Sequence, residues 1–152
     1  MATSIYKGLL KSTQIDTSKS ILKIEESEIY SDFDTLLRSS PGKKDINKVK
    51  NEKAINQSLT ALFSTVKGER FWNLSYGTRI PKLLFEPFDQ TTAQMILDEI
   101  KLGISKYEYK RIKPLEIGIT MDYDNSIYEI LIKYEILNSK KESQHNFILK
   151  KT

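Results

Sequence analysis

The sequence lacks cysteine, has one histidine, and contains no long apolar run. The absence of cysteine excludes disulfides, thiolate zinc sites, iron–sulfur clusters and cysteine nucleophiles. With His145 as the one histidine, a transition-metal site would need carboxylates almost alone, so we expect no metal and no other cofactor. The chain starts without the apolar run of a secretion signal, and no segment reaches the ~18 apolar residues of a membrane span. We therefore expect no membrane partner.

A strong local excess of one charge is also missing from these 152 residues. The net charge of +4 divides into +2 over residues 1–50, +2 over residues 51–112 and zero over residues 113–152. A nucleic-acid-binding protein gathers its lysines and arginines on one face, so this even distribution predicts no nucleic-acid partner.

The chain length predicts one domain. We assign residues 1–30 to a polar N-terminal extension and residues 31–152 to a single domain, with a turn over residues 39–44 around a Pro-Gly pair. An amphipathic helix follows, because apolar residues recur at steps of three and four from Ala54 to Val66. We expect Asn47 or Asn51 to cap its start and Gly68 to lie just past its end.

A second amphipathic helix is predicted from Thr91, which forms a capping-box pattern with Gln94. From residue 115 the apolar period changes to two, which predicts a β-hairpin over residues 115–137. Residues 147–149 are long enough for a third strand. The predicted fold class is α+β, with two amphipathic helices packed on a small antiparallel meander that includes a C-terminal hairpin.

The second hairpin strand has one wholly apolar face, formed by Tyr128, Ile130, Ile132, Tyr134 and Ile136. Two alternatives remain open for this strand. Either its edge is free to pair with a strand from a partner, or residues 147–149 cover it within the chain.

Catalytic chemistry has little support in the sequence. The carboxylates Glu69, Glu86, Glu99 and Glu108 belong to no recognisable hydrolase signature, and no glycine-rich phosphate loop is present. The aromatic residues between Phe71 and Tyr76 are typical of a core segment or of a surface that becomes buried on assembly.

The order of several short motifs nevertheless resembles one known family. A helix with Asn51-Glu52-Lys53-Ala54-Ile55 precedes Gly68-x-Arg70, Tyr76-Gly77 and Leu84-Phe85-Glu86-Pro87. A second helix then leads to Tyr107-Glu108, Arg111-Ile112 and the hairpin. Over about residues 46–137 the chain resembles the gene-25-like baseplate wedge family of contractile-tailed phages, which includes the type VI secretion component TssE.

The resemblance implies a structural role without catalysis. Family members sit in the baseplate, contact the core bundle of the wedge through a Glu-Pro-Arg motif, and start the sheath by pairing hairpin strands with first-ring sheath subunits. Here Glu108 and Arg111 match that motif, with one extra residue between them and no proline. The apolar strand from Tyr128 to Ile136 would supply the sheath-pairing residues.

The same resemblance implies the tail sheath protein and other wedge subunits as partners, with six copies per baseplate. It implies a location in the virion baseplate after assembly in the host cytoplasm. Because some family members carry the label lysozyme, a peptidoglycan-degrading enzyme is the alternative function.

Overall fold

The computed structural model describes residues 30–38, 42 and 45–151. The predicted N-terminal extension, apart from Tyr30, and most of the predicted turn over residues 39–44 lie outside the described residues. The described elements follow one another as β1 (Ser31–Phe33), β2 (Lys48–Lys50), α1 (Glu52–Ser64), α2 (Ile80–Leu83), α3 (Gln90–Gly103), a π-helical segment (Ile104–Glu108), β3 (Ile112–Asp122), β4 (Ile127–Ile136) and β5 (Lys141–Lys150). The predicted α+β class is confirmed. None of the described helices has the length and apolar content needed to cross a bilayer.

The larger sheet is an antiparallel meander in the order β3-β4-β5, while β1 and β2 form a separate two-stranded ribbon. The third strand extends well beyond the predicted residues 147–149 and pairs without interruption with β4. In β3, by contrast, the register shifts between Pro114 and Glu116. The sheet therefore has one regular outer strand and one irregular outer strand.

The core lies between the helices and one face of this sheet. Leu59 of α1, Ile100 of α3 and Ile132 of β4 are all fully buried. The helices follow the period of about 3.6 residues and the strands the period of two that the apolar pattern indicates. Replacing a buried isoleucine of this kind with alanine typically costs about 2–5 kcal/mol of folding free energy.

The predicted helix ends need correction. Asp89, not Thr91, caps α3, because its carboxylate accepts a hydrogen bond from the Thr92 N–H at 2.7 Å. Gln94 instead donates to Asp98 within the helix, so the predicted capping box does not form. Asn51 starts α1, as one of the two predicted alternatives, but makes no side-chain cap to that helix.

The end of α1 also differs from the prediction. The helix ends at Ser64, because Thr65 adopts an extended backbone conformation. Gly68 has a φ of +96°, but it lies in the following loop rather than directly after the last helical turn. The chain therefore leaves the helix several residues earlier than the glycine indicates.

Candidate functional site

Glu108 and Arg111 lie together where the π-helical segment gives way to β3. Arg111 donates from Nε to Glu108 Oε2 at 2.8 Å and from Nη2 to Oε1 at 2.5 Å. Ser58 of α1 completes the cluster, accepting from Nη2 at 2.7 Å and donating to Oε1 at 2.9 Å. A planar guanidinium that binds both oxygens of a carboxylate gives a strong and directional ion pair. The two predicted residues therefore bind one another within this chain.

A tight turn brings this pair together. The Arg111 N–H donates to the Glu108 carbonyl at 2.9 Å, and the intervening Tyr109 and Lys110 are exposed. Glu108 is only 3% exposed, so both of its oxygens need hydrogen-bond donors. The three-residue spacing supplies these donors without the proline of the family motif.

Arg111 also presents an outward side. Its side chain is 32% exposed, and within the described chain its Nη1 group makes no hydrogen bond, although the centre of the Tyr30 ring lies 6.0 Å from the guanidinium carbon. Beside it lies a surface depression of about 320 Å³, lined by Ile104, Ser105, Tyr109, Ile112, Lys113, Pro114 and Leu137. The Leu137 N–H donates to the Arg111 carbonyl at 3.1 Å, so the depression borders the backbone of Arg111. The depression can accept an apolar side chain.

The predicted strand-pairing residues occupy the centre of the sheet. β4 lies between β3 and β5, so its backbone is paired on both sides within the chain. The side chains of all five residues face the helices and are at most 2% exposed, namely Tyr128, Ile130, Ile132, Tyr134 and Ile136. Of the two alternatives for this strand, the covered edge is the one observed, because β5, which contains residues 147–149, pairs with β4 along its whole length. A strand added from outside must pair with β3 or β5.

The two outer strands differ in their suitability for such pairing. β3 contains Pro114, which has no N–H to donate, and its register shifts directly after that residue. β5 contains neither proline nor glycine and keeps a continuous register over ten residues. Irregular edges discourage strand addition, whereas a straight regular edge permits it. In the described part of the chain, β5 is therefore the better template.

One hydrogen bond sets the direction of the backbone groups along β5. The Lys151 N–H donates to the Ser126 carbonyl at 3.1 Å, directly opposite it in the β4–β5 register. Hydrogen-bonded and non-hydrogen-bonded positions alternate along an antiparallel pair. The even-numbered residues of β5 therefore direct their N–H and C=O groups away from β4. These residues are Glu142, Gln144, Asn146, Ile148 and Lys150.

The candidate catalytic carboxylates do not assemble into one site. Glu108 is bound by Arg111 and Ser58, as described above. Glu99 accepts from Arg79 Nε at 2.6 Å and from the Arg79 N–H at 3.3 Å. Glu69 accepts from the Val66 N–H at 3.0 Å, and Glu86 is exposed. The two buried carboxylates thus have their oxygens occupied by arginine donors instead of facing a cleft.

Two features of this site are not predicted from the sequence, namely the role of Ser58 and the full length of β5. Ser58 has no sequence signal, since its partners lie fifty or more residues away and serine is common on helix surfaces. The extent of β5 has a weak signal, because Ser143 and His145 interrupt the apolar alternation that Phe147 and Leu149 continue. A search for alternation that admits polar residues such as Ser143 and His145 on the inward face predicts the longer strand.

Two sequence comparisons identify the same family of proteins. A family model described as baseplate wedge protein gp25 matches residues 49–141. The baseplate wedge protein gp25 of Enterobacteria phage T4 is 25% identical over 113 residues, which cover 74% of this chain and 84% of that protein.

Two solved structures share the fold. A crystal structure of a putative tail lysozyme from Geobacter sulfurreducens has a TM-score of 0.60 at 22% identity and covers 66% of this chain and 91% of its own. A chain in the 6-fold symmetrised cryo-EM structure of the anti-feeding prophage baseplate has a TM-score of 0.55 at 21% identity, covering 81% of this chain and 86% of that chain.

Proposed function

The chain belongs to the gp25 family of baseplate wedge proteins. We propose that it binds other wedge subunits of a contractile tail and initiates assembly of the sheath by strand pairing. It is a structural component of the baseplate of a phage or phage-like particle. Two surfaces take part, one for anchoring at Arg111 and one for sheath pairing along β5.

The main support for the sheath-pairing step is the regular outer edge of β5. Strand addition uses main-chain hydrogen bonds, which fix direction and register while asking little of the side chains. A regular ten-residue edge provides outward donors and acceptors on alternate residues for a terminal strand of a sheath subunit. The five β4 residues from Tyr128 to Ile136 support this edge from the core rather than pairing with the sheath themselves.

The anchor is proposed at the exposed side of Arg111. Glu108 and Ser58 hold Nε and Nη2 of the guanidinium, which leaves Nη1 without a hydrogen bond in the described part of the chain. An arginine fixed by its neighbours loses less side-chain entropy on binding than a free one. We assign the wedge core bundle as the partner of this surface. Glu108 acts as the positioning residue, because its own oxygens are already bound.

The copy number and the partners in the assembled particle follow from the same role. The related anti-feeding prophage baseplate is described as 6-fold symmetrised, and we extend this symmetry to six copies of the present chain per baseplate. The tail sheath protein is the proposed partner of β5, and assembly takes place in the host cytoplasm. This role requires no catalysis.

A pair of variants tests the sheath-pairing step. Asn146→Pro removes an outward N–H from β5 without removing a hydrogen bond to β4, whereas Asn146→Ala keeps the N–H. Electron microscopy of tails should show baseplates without sheath for the proline variant and normal sheaths for the alanine variant. Full sheaths on a folded Asn146→Pro protein would contradict the proposal. Ile132→Pro is unsuitable for this test, because Ile132 is fully buried in the central strand.

The alternative, a peptidoglycan-degrading enzyme, requires a separate assay. A lysozyme needs two carboxyl groups flanking one cleft, and the buried Glu99 and Glu108 are each bound to an arginine. We expect the purified chain to release no soluble fragments from peptidoglycan. Lysis that is lost in a Glu→Gln variant would favour the enzyme instead.

A further inference from the structure

The loop between α1 and α2, residues 68–77, displays large apolar side chains to solvent. Trp72 is 94% exposed, Phe71 is 82% exposed and Leu74 is 62% exposed. Single exposed apolar residues are common on proteins, but a contiguous group of this size marks an interaction site. We call residues 68–77 the aromatic loop.

The base of the aromatic loop is closed by backbone hydrogen bonds. Val66 and Thr78 form a parallel bridge, in which the Lys67 N–H donates to the Thr78 carbonyl at 3.1 Å. The Thr78 N–H donates to the Thr65 carbonyl at 3.0 Å. Gly77 permits this closure, because its φ is +105° and a Cβ atom there would lie 2.6 Å from the Thr65 oxygen. The loop therefore leaves and rejoins the protein at one fixed point.

Contacts inside the loop fix its shape as well. The Arg70 guanidinium lies 3.8 Å from the centre of the Tyr76 ring, and Tyr76 packs against Tyr107 with ring centres 5.2 Å apart. The Tyr107 hydroxyl donates to the Ser75 carbonyl, and the Tyr76 N–H donates to the Asn73 carbonyl at 3.0 Å. A surface that is ordered before binding costs less entropy to bury than a loose one.

The geometry of the exposed rings favours insertion into a cleft. Phe71 and Trp72 meet edge to face at 85°, with centroids 5.1 Å apart. This arrangement forms a compact projection instead of the parallel platforms on which nucleic-acid bases stack. Tryptophan in particular is enriched among the residues that dominate protein–protein binding energy.

The charges around the projection are mainly basic. Lys67 and Arg70 precede it in sequence, and the Lys106 ammonium group lies 5.0 Å from the centre of the Tyr107 ring. The nearby Glu69 directs its carboxylate to the Val66 N–H at 3.0 Å. A partner surface of complementary charge therefore carries carboxylates around its apolar cleft.

We propose that the aromatic loop inserts Phe71 and Trp72 into an apolar cleft bordered by carboxylates on another wedge subunit. The loop packs against the segment that leads into the Glu108–Arg111 pair, because Tyr107, which contacts Tyr76, directly precedes Glu108. The identity of the partner as a wedge subunit rests on the proposed function. The insertion itself is supported by the exposure and the fixed geometry of the aromatic loop.

The single tryptophan of the chain allows a selective test. The full chain is labelled with 5-fluorotryptophan, giving one fluorine resonance, and mixed with purified wedge subunits of the same particle. We expect the resonance to shift and to lose its sensitivity to exchange of H₂O for D₂O as Trp72 becomes buried. Complex formation with an unchanged resonance would overturn the inference. So would a shift produced by vesicles of phosphatidylserine and phosphatidylcholine but not by the subunits.

Binding measurements on variants separate this inference from the proposed anchor. We expect Trp72→Ala to weaken binding about thirty-fold, as for a central interface residue, and Lys67→Glu to weaken it less. Phe85→Ala, which removes another exposed aromatic ring, should have little effect. If Arg111→Lys weakens binding while Trp72→Ala binds normally, the anchor stands and the loop inference fails. If the unaltered chain binds no wedge subunit, both fail.

Discussion

Phe63 of α1 and Phe147 of β5 stack with ring centroids 5.2 Å apart and an angle of 15° between the ring planes. Phe63 is 2% exposed, so the contact extends the core as far as the outer strand. His145, two residues earlier on the same face, stacks on Phe147 and approaches Thr60 of α1 at 3.1 Å. The strand proposed to receive the sheath is thus fixed to a helix and not merely to its neighbouring strand.

Phe147→Ala should therefore destabilise the protein. We expect the free energy of unfolding to fall by about 2 kcal/mol, because the half-buried ring and its stacking contact are both lost. Ile148→Ala is the matched control, since Ile148 lies next to it on β5 but is 65% exposed. Urea denaturation measures both variants. Equal effects would show that β5 is not held by the Phe63 contact.

The Glu108–Arg111 pair should contribute to folding as well as to assembly. Arg111→Met leaves the carboxylate of Glu108 buried without its partner, which should cost about 3 kcal/mol of folding free energy. The double variant with Glu108→Gln should recover part of this loss. Denaturation of the two single variants and the double variant gives the coupling energy. A coupling near zero would mean that the pair is not formed in solution.

Arg111→Lys separates anchoring from folding. Lysine keeps the positive charge but loses the planar two-bond geometry and the Nη1 group. We therefore expect Arg111→Lys to weaken wedge binding clearly while it lowers the melting temperature only slightly. Ser58→Ala serves as the control, because it removes one internal partner of the cluster and leaves Nη1 in place. Calorimetric binding and thermal melting compare the two variants. Normal wedge binding by Arg111→Lys would contradict the assigned anchor.

The cap of α3 has a simple test. Asp89→Ala should lower the melting temperature, whereas Thr91→Ala should change it little, because the Asp89 carboxylate and not the Thr91 hydroxyl accepts the Thr92 N–H. This hydrogen bond lowers the pKa of Asp89 below its usual value. The stabilisation is therefore present above the unfolded-state pKa and is lost as the pH falls through the lower folded-state pKa. A larger loss of melting temperature for Thr91→Ala than for Asp89→Ala would show instead that Thr91 caps the helix.

The stability of the protein should also decrease in mild acid through His145. Burial lowers the pKa of His145, because the charged imidazolium is poorly solvated between β5 and α1. The unfolded chain then binds a proton more readily than the folded chain as the pH falls below about 6.5, so stability declines there. Thermal melting at pH 7.5 and 5.5 should show a larger difference for the unaltered chain than for His145→Gln. An equal difference would exclude this histidine as the cause.

The sequence alone predicts most of the fold because its apolar periods are strong. Ala54, Ile55 and Leu59 repeat at helical spacing, and β4 alternates almost perfectly between buried and less buried positions. β5 is shortened in the prediction because Ser143 and His145 occupy its helix-facing side. The period of two is a property of the backbone, whereas its visibility in a sequence depends on the side chains being apolar.

The candidate site is only partly predictable for a different reason. The motif identifies Glu108 and Arg111, but their mutual ion pair and the contribution of Ser58 arise from tertiary packing. The apolar face of β4 does not show from sequence whether the edge of that strand is open or covered by residues 147–149. An apolar face indicates burial against the helices, and only the strand order determines which edge is open.

The central claim is that β5 receives a strand from a sheath subunit. A cryo-EM reconstruction of the assembled tail, focused on the junction between baseplate and first sheath ring, tests it most directly. The account predicts a backbone segment of the sheath protein about 4.8 Å from β5, bonded to the outward N–H and C=O groups of residues such as Gln144 and Asn146. An outer edge of β5 that faces solvent, or that is covered by residues of its own chain, would contradict the account.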